Sequence, residues 1–102
     1  MLTEFRLTMF DGCLNTEFEV IENAGSVCVL QLTDILEHTK TPHQEIFSLI
    51  FHGPPAPFIP QGTRMLKHSK LGELELFLVP VGREKDGFQY EAVFNKLLKP
   101  RE

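Results

Sequence analysis

The segment that most constrains the fold is Leu71–Gly82, with the sequence LGELELFLVPVG. In its first half, Glu73 and Glu75 alternate with leucines, a pattern typical of a β-strand with one solvated face and one buried face. From Phe77 to Val79 every residue is apolar, which is typical of a strand buried on both faces. The segment therefore predicts a strand that begins at the edge of a hydrophobic core and ends inside it.

Five other segments have the length and pattern of β-strands. Residues 43–52 are apolar on both faces, which predicts a central strand, and the apolar end of 71–82 is expected to lie between that strand and the one at 88–95. Turn-forming residues at 23–26 and 83–87 predict β-hairpins. The remaining strands are predicted at 17–22, at 27–34 with an extension through a bulge, and at 63–68.

The N-terminal segment 1–11 is predicted to be helical. Its apolar residues recur at helical spacing, which indicates a short amphipathic helix over Thr3–Phe10 that closes one end of the core. The alternation of Phe5, Leu7 and Met9 leaves a first strand as the alternative.

Two connections are predicted to be irregular. Residues 38–42 have the composition of a polar loop. The segment 53–62, GPPAPFIPQG, has too many prolines to pair in a sheet and is expected to be a stiff, extended connection. It is the best candidate for an interaction surface, because an exposed Phe58 or Ile59 would anchor a partner; alternatively, both side chains fold back as a lid on the core. The candidate interaction residues are Pro54, Pro55, Phe58, Ile59 and Gln61.

Together these elements predict the fold class. The chain of 102 residues is expected to be one mainly β domain, a small antiparallel barrel or a two-sheet sandwich or roll of about six strands, with a short N-terminal helix. Residues 96–102 are expected to form a tail. Nine phenylalanines and no tryptophan predict a core rich in phenyl rings.

Charge and composition exclude several classes of protein. The formal net charge is -4 and no cluster of Lys or Arg is present, so neither nucleic acid nor an anionic membrane is an expected partner. The two cysteines form neither a disulfide framework nor a metal motif. The sequence contains no signal-peptide pattern and no apolar run of membrane-spanning length, so a cytoplasmic location is expected.

The histidines give weak evidence for a metal site. None of the four lies in a recognised ligand motif. His52 and His68 each end a predicted strand, so the two are candidate metal ligands if the strand ends meet. The alternative is that both are solvated histidines at strand ends.

The carboxylates also have structural explanations. Glu73 and Glu75 resemble a general acid–base pair, but alternating glutamates on a strand are usually its solvated face. Glu91 lies between apolar residues, and an ion pair with Arg64 or Lys67 that fixes strand register is favoured over a functional site. No catalytic residue and no cofactor are predicted.

A set of short motifs resembles a small bacterial family of unknown function whose members have a similar length. The resemblance extends from Phe18 to Asn95 and implies a bacterial origin and a shared small fold, but it assigns no catalytic residue. The matching motifs are Phe47-Ser48-Leu49, Phe51, Gly53-Pro54, Pro60-Gln61-Gly62, Leu71-Gly72, Leu76-Phe77-Leu78-Val79-Pro80 and Tyr90-Glu91-Ala92-Val93-Phe94-Asn95.

Three functional hypotheses follow. The favoured one is a non-enzymatic structural or protein-interaction module that acts as a homo-oligomer or as an accessory part of a larger assembly, including a phage-like one. The first alternative is a small-ligand-binding β-barrel, although no motif supports a particular ligand. The second alternative is a small metal-dependent enzyme.

Overall fold

The strands form one ring of antiparallel pairs. The computed structural model describes residues 7–23 and 25–97. Within this part of the chain, β4 pairs with β1 and closes the ring order β1-β2-β3-β6-β5-β4, which confirms the predicted six-stranded, mainly β fold. The elements are α1 (Leu7–Phe10), a 3-10 turn (Asp11–Cys13), β1 (Glu17–Glu22), β2 (Gly25–Lys40), β3 (Gln44–Gly53), β4 (Gly62–His68), β5 (Gly72–Glu84) and β6 (Gly87–Leu97).

Two strands form the corners of the barrel because each changes its partner part-way along. Strand β2 pairs with β1 over residues 25–31 and with β3 over residues 31–40. Strand β5 pairs with β4 over residues 72–78 and with β6 over residues 79–84. The barrel therefore consists of two sheets that share β2 and β5. We call the sheet that contains β1 and β4 the first sheet, and the one that contains β3 and β6 the second sheet.

Register shifts accompany both corners. In β5 the shift lies between Pro80 and Gly82, and in β2 one shift lies between Leu32 and Asp34. An extra residue bends a strand and increases its twist, which is what a strand needs in order to pass from one sheet to the other. Proline is tolerated at such a point because the irregular ladder does not require its missing N–H.

Large apolar side chains fill the interior of the barrel. Phe18 and Phe51 meet edge to face, with ring centroids 5.3 Å apart, and both are fully buried. The predicted core of phenyl rings is therefore confirmed. The other large side chains buried with them are Phe10, Phe47, Tyr90, Leu30, Leu32, Leu49, Leu66, Leu74, Leu76 and Leu78.

The N-terminal segment closes one end of this core. Phe10, at the end of α1, is fully buried and stacks on Phe94 with ring centroids 6.0 Å apart. Phe47 lies on the other side, 6.1 Å from the Phe10 ring. Residues 7–10 are helical, as the helical prediction requires, whereas residues 3–6 of the predicted helix lie outside the described residues.

The proline-rich connection closes the opposite opening, between the end of β3 and the start of β4. Ile59 is buried, and its backbone N–H donates a hydrogen bond to the Tyr90 hydroxyl at 3.0 Å. Ile59 therefore acts as the lid that the sequence left as an alternative, while the neighbouring Phe58 is 48% exposed.

Three details of the predicted fold are wrong. Strand β5 lies between β4 and β6 rather than between the 43–52 and 88–95 strands, because β3 pairs directly with β6. Phe77 is half-exposed rather than buried, because only alternate residues of a barrel strand face the interior. Residues 38–40 belong to β2 and not to a loop, since β2 continues to pair with β3 as far as Lys40.

Candidate functional site

The two candidate metal ligands have separate partners. His52 lies 2.7 Å from Glu84 through its Nδ1 atom and the Oε1 atom of the glutamate. His68 is almost fully buried and bonds to other groups, so it is not a solvated strand-end histidine. Among the residues that the structure describes, no group of three or more His, Cys, Asp or Glu side chains is placed to hold a metal ion.

The His68 ring joins two distant parts of the chain. Its Nδ1 atom accepts hydrogen bonds from the backbone N–H groups of Lys70 at 3.0 Å and Leu71 at 3.2 Å. The proton of the neutral ring is therefore on Nε2, which donates to the Thr16 hydroxyl at 2.8 Å. That hydroxyl in turn donates to the carbonyl of Cys13 at 2.5 Å. Both ring nitrogens of His68 are thus used to fasten the segment before β1 to the turn between β4 and β5.

The surroundings of His68 favour its neutral form. Burial lowers the pKa of the ring, and the nearby Lys70 ammonium lowers it further. The ring centroid lies 4.4 Å from that of Phe18. A neutral, fully hydrogen-bonded ring that packs on a core phenylalanine has a structural role.

The two free cysteines are poorly suited to nucleophilic chemistry. Burial raises the pKa of the Cys13 thiol, an effect that Lys70 partly offsets. Burial also raises the pKa of the Cys28 thiol, and the Glu22 carboxylate raises it further. Both effects reduce the thiolate fraction at neutral pH, and the thiolate is the reactive form.

Ser48 and His38 form a pair with the composition of a nucleophile and its base. Their Oγ and Nε2 atoms lie 2.8 Å apart. The Ser48 side chain is fully buried, however, and a nucleophile has to reach its substrate. The contact therefore satisfies a buried hydroxyl group beneath the histidine.

The predicted ion pair of Glu91 is absent from the described residues. Glu91 lies across from Ile50 on one side and from Val79 on the other. The Arg64 guanidinium donates instead to the Pro60 carbonyl at 2.9 Å and braces the proline-rich connection. The prediction that placed Arg64 or Lys67 next to Glu91 is wrong, because β5 separates β4 from β6 in the ring.

The predicted interaction surface at 53–62 presents one aromatic ring. Phe58 packs edge to face on Phe88 with ring centroids 4.9 Å apart, which leaves about half of its side chain exposed. Pro55 and Gln61 are exposed, Pro54 is half-buried, and Ile59 is buried. That this loop binds a partner stays a prediction.

The first sheet carries a groove that is open to solvent. Its volume is about 620 Å³. Glu19 and Lys67 face each other across the pairing of β1 and β4, so the groove combines charges of both signs. The lining residues are Thr16, Glu17, Glu19, Val29, Lys67 and Ser69.

A second surface was not recognised from the sequence as a candidate site. Strand β3 is apolar on both faces, and in a closed barrel one of those faces points outward. Its outward residues include Ser48, which is fully buried, and Ile50, which is 8% exposed. We define the outer apolar surface as the outward apolar residues of the second sheet and its β5 corner: Leu36, Ile46, Ile50, Phe77, Val79, Val81 and Val93.

The strand register shows how the outer apolar surface is arranged. Leu36, Ser48 and Val93 lie side by side on β2, β3 and β6. Leu36 and Val93 are exposed on either side of β3, whereas Ser48 between them is buried beneath the His38 ring. On β5, Phe77 and Val81 are exposed on either side of Val79, which lies across from Glu91 of β6.

Most of this barrel matches one protein family. The profile of a family described as "Domain of unknown function (DUF6916)" matches residues 5–94. The chain belongs to the DUF6916 family. The matched residues of this DUF6916 domain include the whole outer apolar surface and both closures of the core. The resemblance to a small family of unknown function is thereby confirmed, while the bacterial origin that it implied stays a prediction. No curated protein and no solved structure matches the DUF6916 domain.

The helical content of the domain is small. Within residues 7–23 and 25–97, no helix has the length and apolar character needed to cross a membrane.

Proposed function

We propose that this DUF6916 domain is a protein-interaction module that binds its partner on the outer apolar surface. The observation that carries this proposal is the exposure of four large apolar side chains on that surface. Leu36, Phe77, Val81 and Val93 are each between 42% and 56% exposed. Large apolar side chains left exposed on one side of a folded domain can mark a binding surface.

The filled interior also supports this function. A small-ligand-binding barrel needs a cavity with a few converging polar groups. Here Phe18, Phe51 and Tyr90 are fully buried in the space that such a ligand would occupy. Recognition by the described part of this domain therefore takes place on its outside.

The exposed side chains of the outer apolar surface would contribute to binding when a partner covers them. Burying apolar area contributes ~25 cal/mol per Å², so covering the exposed half of a Val or Phe side chain contributes roughly 1 kcal/mol. Aromatic side chains in the centre of an interface often dominate binding, and Phe77 is the exposed ring of this surface. The partner is either a second copy of the chain or another component of a larger assembly.

Two surface variants test the proposal. F77S/V93S removes two exposed apolar side chains from the outer apolar surface, and V27S removes a comparable exposed valine from β2 in the first sheet. Light scattering at several concentrations measures self-association. Affinity capture from an extract of the native cell, quantified for the wild type and both variants, measures binding to other proteins.

We expect that either the dimer fraction or the capture of one protein falls at least tenfold for F77S/V93S and is unchanged for V27S. If the wild type is monomeric at every concentration and all three proteins capture the same set in equal amounts, the outer apolar surface does not bind a protein. Circular dichroism and urea unfolding establish that each variant is folded before it is compared.

A further inference from the structure

The outer apolar surface combines apolar residues with carboxylates. Asp34 and Glu91 lie on either side of Ile50, in one register row across β2, β3 and β6. Both side chains are at outward positions because they share that row with an outward residue of β3. Ile50 is nearly covered, so the two carboxylates flank an apolar floor.

Positive charge is missing from the same rows. Across β2, β3 and β6, the four outward rows that contain Ile46, Ser48, Ile50 and His52 include no lysine and no arginine. The Glu84 carboxylate adds a further acidic group at the end of these rows, where it contacts the His52 ring. Apart from Ser48, the two middle rows through Ser48 and Ile50 are therefore apolar or acidic.

This charge distribution disfavours a second copy of the chain as the partner. A twofold dimer places the same patch of both subunits face to face. The carboxylates of Asp34 and Glu91 would then be covered by a surface whose outward rows on β2, β3 and β6 offer them no lysine or arginine, and a buried carboxylate without a cationic partner is unfavourable. A partner with positive charges beside apolar residues complements the surface instead.

The separation of the two carboxylates indicates the width of that partner. Neighbouring strands are ~4.8 Å apart, so Asp34 on β2 and Glu91 on β6 are separated by about 10 Å across β3. An α-helix has a diameter of about 10 to 12 Å with its side chains. A helix laid along β3 would contact Ile46, Ile50 and the His38 ring that covers Ser48 between them, with its two flanks beside the carboxylates.

We propose that the outer apolar surface binds a cationic amphipathic helix, with Lys or Arg on both flanks of an apolar stripe, and not a second copy of the chain. This inference rests on the proposed function. It adds the chemical class of the partner, which the apolar residues alone do not specify.

Synthetic peptides test the charge of the partner. Three peptides of about 18 residues, long enough to form a helix, carry the same leucine stripe with Lys, Glu or Gln at the flanking positions. Their binding is measured by fluorescence anisotropy against the wild type and the variants D34N/E91Q, E17Q/E19Q and L36S/V93S. The E17Q/E19Q variant is the matched control, because it removes two carboxylates from β1 in the first sheet.

We expect the Lys peptide to bind the wild type most tightly and to bind less tightly as salt is added. Two exposed charge pairs contribute ~1 kcal/mol in total, so D34N/E91Q should weaken binding of the Lys peptide about fivefold. E17Q/E19Q should leave binding unchanged, and L36S/V93S should weaken all three peptides.

Other outcomes overturn the inference in distinguishable ways. Equal binding of the Lys and Glu peptides, or equal loss in both carboxylate variants, refutes a cationic partner. A wild-type dimer that L36S/V93S dissociates supports the proposed function but refutes this inference. If no peptide responds to L36S/V93S, and F77S/V93S changes neither self-association nor capture, both the inference and the proposed function fail.

Discussion

Replacing His68 with alanine should destabilise the domain more than any other histidine substitution in the described chain. The ring makes three hydrogen bonds, and its loss leaves the N–H groups of Lys70 and Leu71 without their acceptor. The Thr16 hydroxyl loses its donor and keeps only its bond to the Cys13 carbonyl. Each net hydrogen bond contributes ~1 kcal/mol, and the cavity beside Phe18 adds a packing cost. Water can reach the exposed turn and offset part of this loss, so we expect a decrease of about 3 kcal/mol in the free energy of unfolding.

Urea unfolding measures this decrease. With an m-value of ~1.5 kcal/mol/M, the midpoint of H68A should fall by about 2 M. His43 is exposed in the turn between β2 and β3, so H43A is the matched control and should change the free energy of unfolding by less than ~0.5 kcal/mol. A decrease below ~1 kcal/mol for H68A would refute the structural role that we assign to the ring.

The pH dependence gives an independent check on the same residue. The pKa of His68 in the folded chain is lowered from 6.5. At a pH between that lowered pKa and 6.5, His68 therefore binds a proton in the unfolded chain and stays neutral in the folded chain. The contribution of His68 to stability is therefore complete above pH 6.5 and is lost as the pH falls below it. We expect the stability difference between the wild type and H68Q to narrow over that range. A constant difference from pH 8 down to pH 5 would contradict the lowered pKa.

Two further substitutions test the closure of the barrel. Y90F removes the hydroxyl that accepts the Ile59 N–H, so it should lower the free energy of unfolding by ~1 to 2 kcal/mol. Hydrogen-exchange mass spectrometry should also show faster amide exchange at Ile59. Unchanged exchange would show that this hydrogen bond does not hold the lid. G87A places a methyl group 2.0 Å from the Gly53 carbonyl oxygen, so it should force β6 away from β3 and cost more than ~2 kcal/mol in urea unfolding. G25A, whose new methyl group lies 3.8 Å from the nearest atom, the Glu22 carbonyl oxygen, controls for the added methyl group.

The sequence was sufficient to predict elements whose signals are local. The alternation over 17–22 and the turn residues after it specify β1 and its hairpin with β2, and the pairing of the two strands confirms this. The doubly apolar run at 43–52 specifies a strand with partners on both sides, which β3 is. Such patterns are set by neighbouring residues, so they can be recognised without the rest of the fold.

Features that depend on distant residues could not be predicted in the same way. His68 looks like a solvated strand end because Thr16, its hydrogen-bond partner, is 52 residues away. Glu91 was assigned the wrong partners because no local signal shows that β5 separates β4 from β6. The apolar run at Phe77 was interpreted as double burial, although in a closed ring it lies on the outside.

The change of pattern within Leu71–Gly82 does coincide with a structural boundary. Alternation gives way to a continuous apolar run at Phe77, and β5 exchanges β4 for β6 between Leu78 and Val79. The sequence pattern therefore predicts the position of this boundary correctly. Its cause is the change of partner strand and not burial on both faces. The apolar residues lie where the strand changes its partner, and Phe77, Val79 and Val81 are part of the outer apolar surface.

The shared corner strands also determine how the gene for this domain can be divided. The first sheet takes β1 and β4 from separate parts of the chain, and the second sheet takes β3 and β6. Half of β2 and half of β5 belong to each sheet, so no single cut in the chain separates one complete sheet from the other. Neither sheet can be inherited, truncated or grafted onto another protein alone, and the barrel can be transferred between proteins only as a whole.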